Sequence, residues 1–196
     1  MVTHPAPAPM KTTDFIDPLP YADRLASRPS ESVDLVVIHC TELPDLASAR
    51  EFGERVLYKE TGTGNSGHFY LEERGALHRW VPVDRVAHHV RGYNNRSIGI
   101  ELCNPGRYPD WYDSRRQQMK HPYSTGQLEK LVQLLAELES IMPGLRLISG
   151  HEHLDDEQIT ASDDPAIQVR RKCDPGPLFP WPDILSATRL QFFDPR

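Results

Sequence analysis

No stretch of this 196-residue chain approaches the roughly 20 consecutive apolar residues that a membrane helix needs, so a helical membrane protein is excluded. Cysteine is scarce. Cys40, Cys103 and Cys173 are an odd, sparse set that does not make a disulfide framework and is compatible with a reducing compartment. Positive charge is also short: 22 basic residues face 28 acidic ones, for a formal net charge of −6. A mildly acidic chain has no electrostatic footprint for a phosphate backbone, so no nucleic-acid partner is expected. The opening residues, Met1 to Lys11, lack a basic segment followed by an apolar one. No secretory signal is visible there, and a cytoplasmic location is expected, with export by a signal-independent route as the alternative. No internal repeat is visible, and no second domain is expected within these residues.

The hydrophobic fraction of 38% is enough for one core. The 18 prolines gather at the N-terminus and around Asp174 and punctuate loops. Residues 1–30 are Pro/Ala-rich and then polar, which predicts an irregular arm ahead of a single domain over 31–196. Residues 33–39 are apolar and β-branched, too short for a helix, and predict a buried strand. Residues 46–59 are helix-compatible, with Phe52, Val56 and Leu57 on one face. His68–Leu71 and Leu77–Val81 flank a Glu73-Arg74-Gly75 turn and predict a hairpin. Ser97 to Cys103 predicts a further strand. The clearest helix follows Ser124-Thr125 and carries Leu128, Leu131, Leu134, Leu135, Leu138 and Ile141 in helical period up to Pro143-Gly144. Leu145–Ile148 predicts a strand, 152–172 an extended polar loop, and Pro182 opens a last helix to about Leu190. Strands interleaved with helices predict an α/β domain with a central mixed sheet flanked by helices.

Three residues placed where these elements end invite a chemical reading. His39 closes the first apolar strand, His151 follows Gly150 after another, and Asp174 precedes Pro175-Gly176. Two histidines and an aspartate can hold a catalytic zinc and leave its fourth tetrahedral position for water. Glu101 ends an apolar strand, where a charge is costly without a purpose, and is the candidate base. Lys172 lies two residues before Asp174 and shares its side of an extended segment; it is the candidate for oxyanion stabilisation. Taken residue by residue, plainer readings stand beside these. His39 can be structural, Asp174 can start a turn, Glu101 can face solvent at an edge, and Arg170-Arg171-Lys172 can be a solvated face.

The segments Val36-Val37-Ile38-His39, Gly67-His68-Phe69-Tyr70-Leu71, Val81 to His89, Asn95-Arg96-Ser97-Ile98-Gly99-Ile100-Glu101-Leu102, Gly150-His151 and Lys172 to Trp181 occur in order. Together they resemble the zinc-dependent N-acetylmuramoyl-L-alanine amidases of the AmpD and type-2 amidase family, which share their fold with peptidoglycan recognition proteins. The resemblance runs over roughly residues 33–190. It implies His39, His151 and Asp174 as zinc ligands, Glu101 as catalytic glutamate and Lys172 as its lysine partner. The implied reaction is hydrolysis of the amide between the lactyl group of N-acetylmuramic acid and L-alanine of the stem peptide, in peptidoglycan or in (anhydro)muropeptides. A non-catalytic peptidoglycan-binding module and a zinc peptidase cutting within the stem peptide are the alternatives. His68, His89, Asn95 and Arg96 are candidate substrate contacts, and Trp80, Trp111 and Tyr112 a candidate sugar-stacking face. Two features depart from the pattern. A polar insertion, 155–170, is expected as a loop near the groove, and Cys173 offers a thiolate beside Asp174 as an alternative ligand. No feature of the sequence sets the oligomeric state.

Overall fold

A computed structural model describes residues 10–196. Its strands are Phe15–Ile16 (β1), Leu35–Cys40 (β2), Phe69–Leu71 (β3), Leu77–Arg79 (β4), Ser97–Leu102 (β5), Leu147–Gly150 (β6), Gln158–Thr160 (β7), Gln168–Arg170 (β8) and Gln191–Phe192 (β9). The α-helices are Leu46–Glu54 (α1), Thr125–Ile141 (α2), His151–Leu154 (α3) and Trp181–Ser186 (α4). Among the described residues, seven strands form one sheet in the order β1-β4-β3-β5-β2-β6-β9. β3 and β4 pair antiparallel, as the hairpin signal predicts, and the other neighbours pair parallel. The mixed sheet flanked by helices agrees with the α/β expectation.

Period-2 alternation decides what each face of the sheet does. Val36, Ile38 and Cys40 of β2 and Ile98, Ile100 and Leu102 of β5 join the main core with α2. α2 starts where Ser124 Oγ accepts the Gln127 amide at 3.1 Å, a serine N-cap. It buries Leu131, Leu134, Leu135 and Leu138 against the sheet. The opposite face carries Leu35, Val37 and His39 from β2 and Ser97, Gly99 and Glu101 from β5. Leu35 and Val37 pack there on Val90. One face is thus core, and the other carries the polar residues of interest.

Several expectations need adjusting. Among residues 10–30, the described part of the arm, β1 pairs with β4 and Leu19, Tyr21 and Leu25 are buried, so this segment is stitched into the domain. Residues 1–9 of the arm lie outside the described residues. Phe52, Val56 and Leu57 are exposed. α1 instead turns Ala49 and Gly53 inward, and a Cβ on Gly53 would sit in ordinary contact with the Trp80 ring at 3.6 Å. The expected loop 152–172 holds α3 and the antiparallel hairpin β7–β8. α4 ends at Ser186, short of Leu190. No helix of the described residues is long and apolar enough to cross a membrane.

Candidate active site

Strand register assembles the site. His39 pairs with Glu101 across β2 and β5, and Ile38 pairs with Gly150 across β2 and β6. The C-terminal ends of three parallel strands therefore deliver His39, Glu101 and, one residue past β6, His151 to one place. Asp174 arrives from the following segment. It is held by the Glu152 amide, which donates to its carbonyl at 2.8 Å, and by Tyr123 Oη, which donates to the Pro175 carbonyl at 2.7 Å. Gly150 is needed for this approach, because a Cβ there would lie 2.7 Å from Pro175 Cδ. A Cβ on Gly67 would likewise meet Glu101 Cγ at 2.8 Å.

His39 Nδ1 and His151 Nδ1 lie 3.0 and 3.2 Å from the same oxygen, Asp174 Oδ2. Each of the three buried residues offers a ligand atom, and these atoms lie within 4.8 Å of one another. Buried and without a hydrogen-bond partner are Asp174 Oδ1 and His151 Nε2. Buried polar atoms are rarely left orphaned, so two imidazole nitrogens and a carboxylate converging with an unpartnered oxygen fit a metal ion. Burial by itself would raise the Asp174 carboxyl. The neighbouring His151, the Lys172 charge and the close contact with His39 outweigh it and hold the carboxyl well below the usual range. Burial also lowers His151, against the pull of Asp174. An anionic Asp174 facing a His151 pushed toward its neutral form is what a metal ligand set requires.

Glu101 Oε1 stands 4.0 Å from His39 Nδ1. Burial raises its carboxyl pKa and Asp174 adds to that, while His39 and Lys172 oppose it. A groove of about 410 Å³ opens over these groups and is lined by His39, Glu101, His151, Lys172 and Asp174 among others.

The remaining candidates separate. His89 lines the groove, yet both ring nitrogens face protein: Nδ1 is 2.9 Å from His39 Nε2 and Nε2 is 3.2 Å from Ser97 Oγ. Burial, with the His39 and His68 imidazoles beside it, pushes His89 well below its ordinary pKa. His68 does not reach the groove. It is 0% exposed, its Nδ1 accepts the Gly99 amide at 3.0 Å and its Nε2 faces the Arg85 carbonyl at 3.0 Å. Arg96 lies at the opposite end of β5, five residues from Glu101 and so roughly 16 Å along the strand. There it pairs with Asp34, and its guanidinium sits 5.8 Å from the Phe193 ring. Asn95 is exposed and does not line the groove. Its neighbour Asn94 does, and the Asn94 side chain accepts the His89 and Val90 amides at 3.0 and 2.7 Å. Two adjacent asparagines gave no sequence signal to choose between them.

Trp80 is core, stacked on Tyr70 at 3.6 Å. Trp111 Nε1 donates to the Glu42 carbonyl at 2.9 Å. Cys173 packs against the main core, outside the group of metal-compatible ligands. No residue of the insertion 155–170 lines the groove; its hairpin is tied to the loop over 104–124, between β5 and α2, through Ser114–Asp163 and Ser162–Tyr112. Sequence reading also missed Glu42. It sits at φ 49° and grips Arg107 with two bonds of 2.7 and 2.8 Å. Arg107 in turn donates to the Arg170 carbonyl at 3.1 Å and the Arg171 carbonyl at 3.3 Å. That buried pair ties the exit of β2 to the segment carrying Lys172 and Asp174.

A family model described as N-acetylmuramoyl-L-alanine amidase matches residues 29–177. The amidase AmiD of Escherichia coli K12 is 35% identical over 112 residues, covering 53% of this chain and 35% of AmiD. The chain thus spans about a third of that relative. The endolysin of Escherichia phage T7 is 28% identical over 132 residues, 66% of this chain and 82% of the endolysin. Among solved structures, the amidase LysCS from Clostridium intestinale URNW superposes with a TM-score of 0.61 at 19% identity, covering 91% of this chain and 98% of LysCS. AmiD in complex with anhydro-N-acetylmuramic acid-L-Ala-D-gamma-Glu-L-Lys gives 0.57 at 22% identity, covering 83% and 59%. At these identities the structures speak for the fold.

Proposed function

The chain belongs to the N-acetylmuramoyl-L-alanine amidase family, and from that premise we propose that it is a zinc-dependent hydrolase of the bond between the muramyl lactyl group and L-alanine of the stem peptide. The observation that carries the proposal is the meeting of three buried ligand atoms within 4.8 Å beside the partly buried Glu101 carboxylate. His39, His151 and Asp174 would hold the ion. Bound there, zinc would lower the pKa of a coordinated water towards ~7 and polarise a carbonyl. Glu101 takes the proton of the attacking water on a carboxylate oxygen and passes it to the nitrogen of the leaving L-alanine. Lys172, whose positive charge acts on both Glu101 and Asp174, stabilises the oxyanion that develops on the lactyl carbonyl. The substrate class follows the family and the muramyl tripeptide named in the AmiD complex.

The test is to incubate the purified protein with intact sacculi and with soluble anhydro-muropeptides, with and without chelator, and to identify products by mass. Release of stem peptide with a free L-alanine N-terminus, lost with chelator and restored by zinc, is expected. The better substrate decides between recycling of fragments and lysis of the wall. Cleavage inside the stem peptide would replace the amidase by a peptidase. Binding without cleavage, with zinc present, would leave a recognition module.

A further inference from the structure

We propose that Ser97 and His89 set the tautomer of His39, holding its proton on Nε2 so that the Nδ1 lone pair faces Asp174 and His151. The inference rests on the reading of His39 as a metal ligand and adds a positioning device behind it. The direction of each hydrogen bond follows from one fixed point. Ser97 Oγ lies 2.8 Å from the Tyr93 carbonyl oxygen, which can only accept, so the hydroxyl donates there. Having one proton, Ser97 Oγ then accepts from His89 Nε2 at 3.2 Å. Among the described residues no carboxylate lies against either ring nitrogen of His89 to hold a second proton, so the ring protonated on Nε2 has a bare Nδ1. That nitrogen, 2.9 Å from His39 Nε2, requires His39 to donate. His39 Nδ1 is left bare.

The arrangement opposes a specific competitor. Asp174 Oδ2, 3.0 Å from His39 Nδ1, would draw the imidazole proton onto Nδ1 and block the nitrogen that points into the site. The ring of His89 is held for this role. Asn94 Oδ1 accepts its backbone amide at 3.0 Å, and Gly99 leaves room for the ring, since a Cβ there would lie 2.6 Å from His89 Cγ. Ser97 is fully buried, so no solvent competes for its hydroxyl.

The test combines ring-nitrogen NMR of labelled histidines in the zinc-loaded protein with zinc affinity from chelator competition. Expected is a His89 protonated on Nε2 and bare on Nδ1. His89→Phe, which keeps a ring and removes the acceptor, should weaken zinc binding by about 10–100-fold, the usual effect of losing a partner behind a metal ligand. His89→Gln, whose amide oxygen can accept from His39 Nε2, should recover most of that loss; a purely steric role would not distinguish the two variants. A proton found on His89 Nδ1 overturns the proposal even if His89→Phe fails to fold. So does a folded His89→Phe that binds zinc as tightly as the unaltered protein. His39→Ala separates the layers. Zinc lost there but unchanged in His89→Phe defeats the tautomer device alone, whereas zinc retained in His39→Ala defeats the ligand assignment beneath it.

Discussion

Glu101 shows how much one side chain can be asked to do at the end of an apolar strand. Its neighbours in β5 alternate between core and groove, and its carboxylate, 14% exposed, lies 4.0 Å from His39 Nδ1. Burial that raises its pKa keeps it basic enough to accept a proton and able to release it again. Replacing Glu101 by Gln preserves shape and leaves the three metal-compatible residues untouched. The expected outcome is zinc content equal to the unaltered protein with turnover reduced about 10²–10⁴-fold, the usual worth of a positioned general base. Metal analysis beside a muropeptide assay checks it, and retained turnover would remove Glu101 from its role. His68 and Arg96, candidate substrate contacts in sequence, are placed away from the groove: one is fully buried on the Gly99 amide and the Arg85 carbonyl, and the other is paired with Asp34.

At the scale of elements, β5 carries more than its apolar pattern suggests. Ile98, Ile100 and Leu102 face the core. Ser97, Gly99 and Glu101 face the groove side, so a strand with a single greasy face also displays a hydroxyl, a gap and a carboxylate. The gap is occupied, because the His89 ring fills the space a Gly99 side chain would take. Gly99→Ala should therefore overpack the site, destabilising the fold by about 1–3 kcal/mol and weakening zinc binding by pushing His89 off His39. Denaturant unfolding together with chelator competition measures both. An alanine variant with unaltered stability and affinity would show that the ring can move aside freely. At the same scale, the β7–β8 hairpin within 155–170 leaves no mark in the sequence. Its polar residues carry no periodic apolar signal, and the β7–β8 hairpin is held by its own pairing and by contacts to the 104–124 loop, which are distant in sequence.

Across the whole molecule, the proposed ligands come from separate segments: the end of β2, the residue after β6, and the turn before Pro175. An unfolded chain does not hold them together, so an ion bound there is linked to folding. At a free zinc concentration 100 times its Kd the native state gains about 2.7 kcal/mol. For a chain of this size each kcal/mol shifts the thermal midpoint by about 2–4 °C, so chelator should lower the midpoint by roughly 5–10 °C and zinc should restore it. His39→Ala should abolish the response; an equal response in that variant would place the ion elsewhere.

The alternation in β2 and β5, the helical period of α2 and the ordered set of short motifs were legible because each is a local pattern written within a few residues. From them came the mixed α/β sheet and the nomination of His39, Glu101, His151, Lys172 and Asp174. Register was not legible. Only the parallel pairing of β2 with β5 and β6 brings Glu101 beside His39 and His151 close by. Nor was the Glu42–Arg107 pair, whose partners stand 65 residues apart, or the line from Ser97 through His89 to His39. These depend on which atoms meet after chain segments remote in sequence have packed. That is a property of three-dimensional distance and hydrogen-bond direction, which local residue order does not encode.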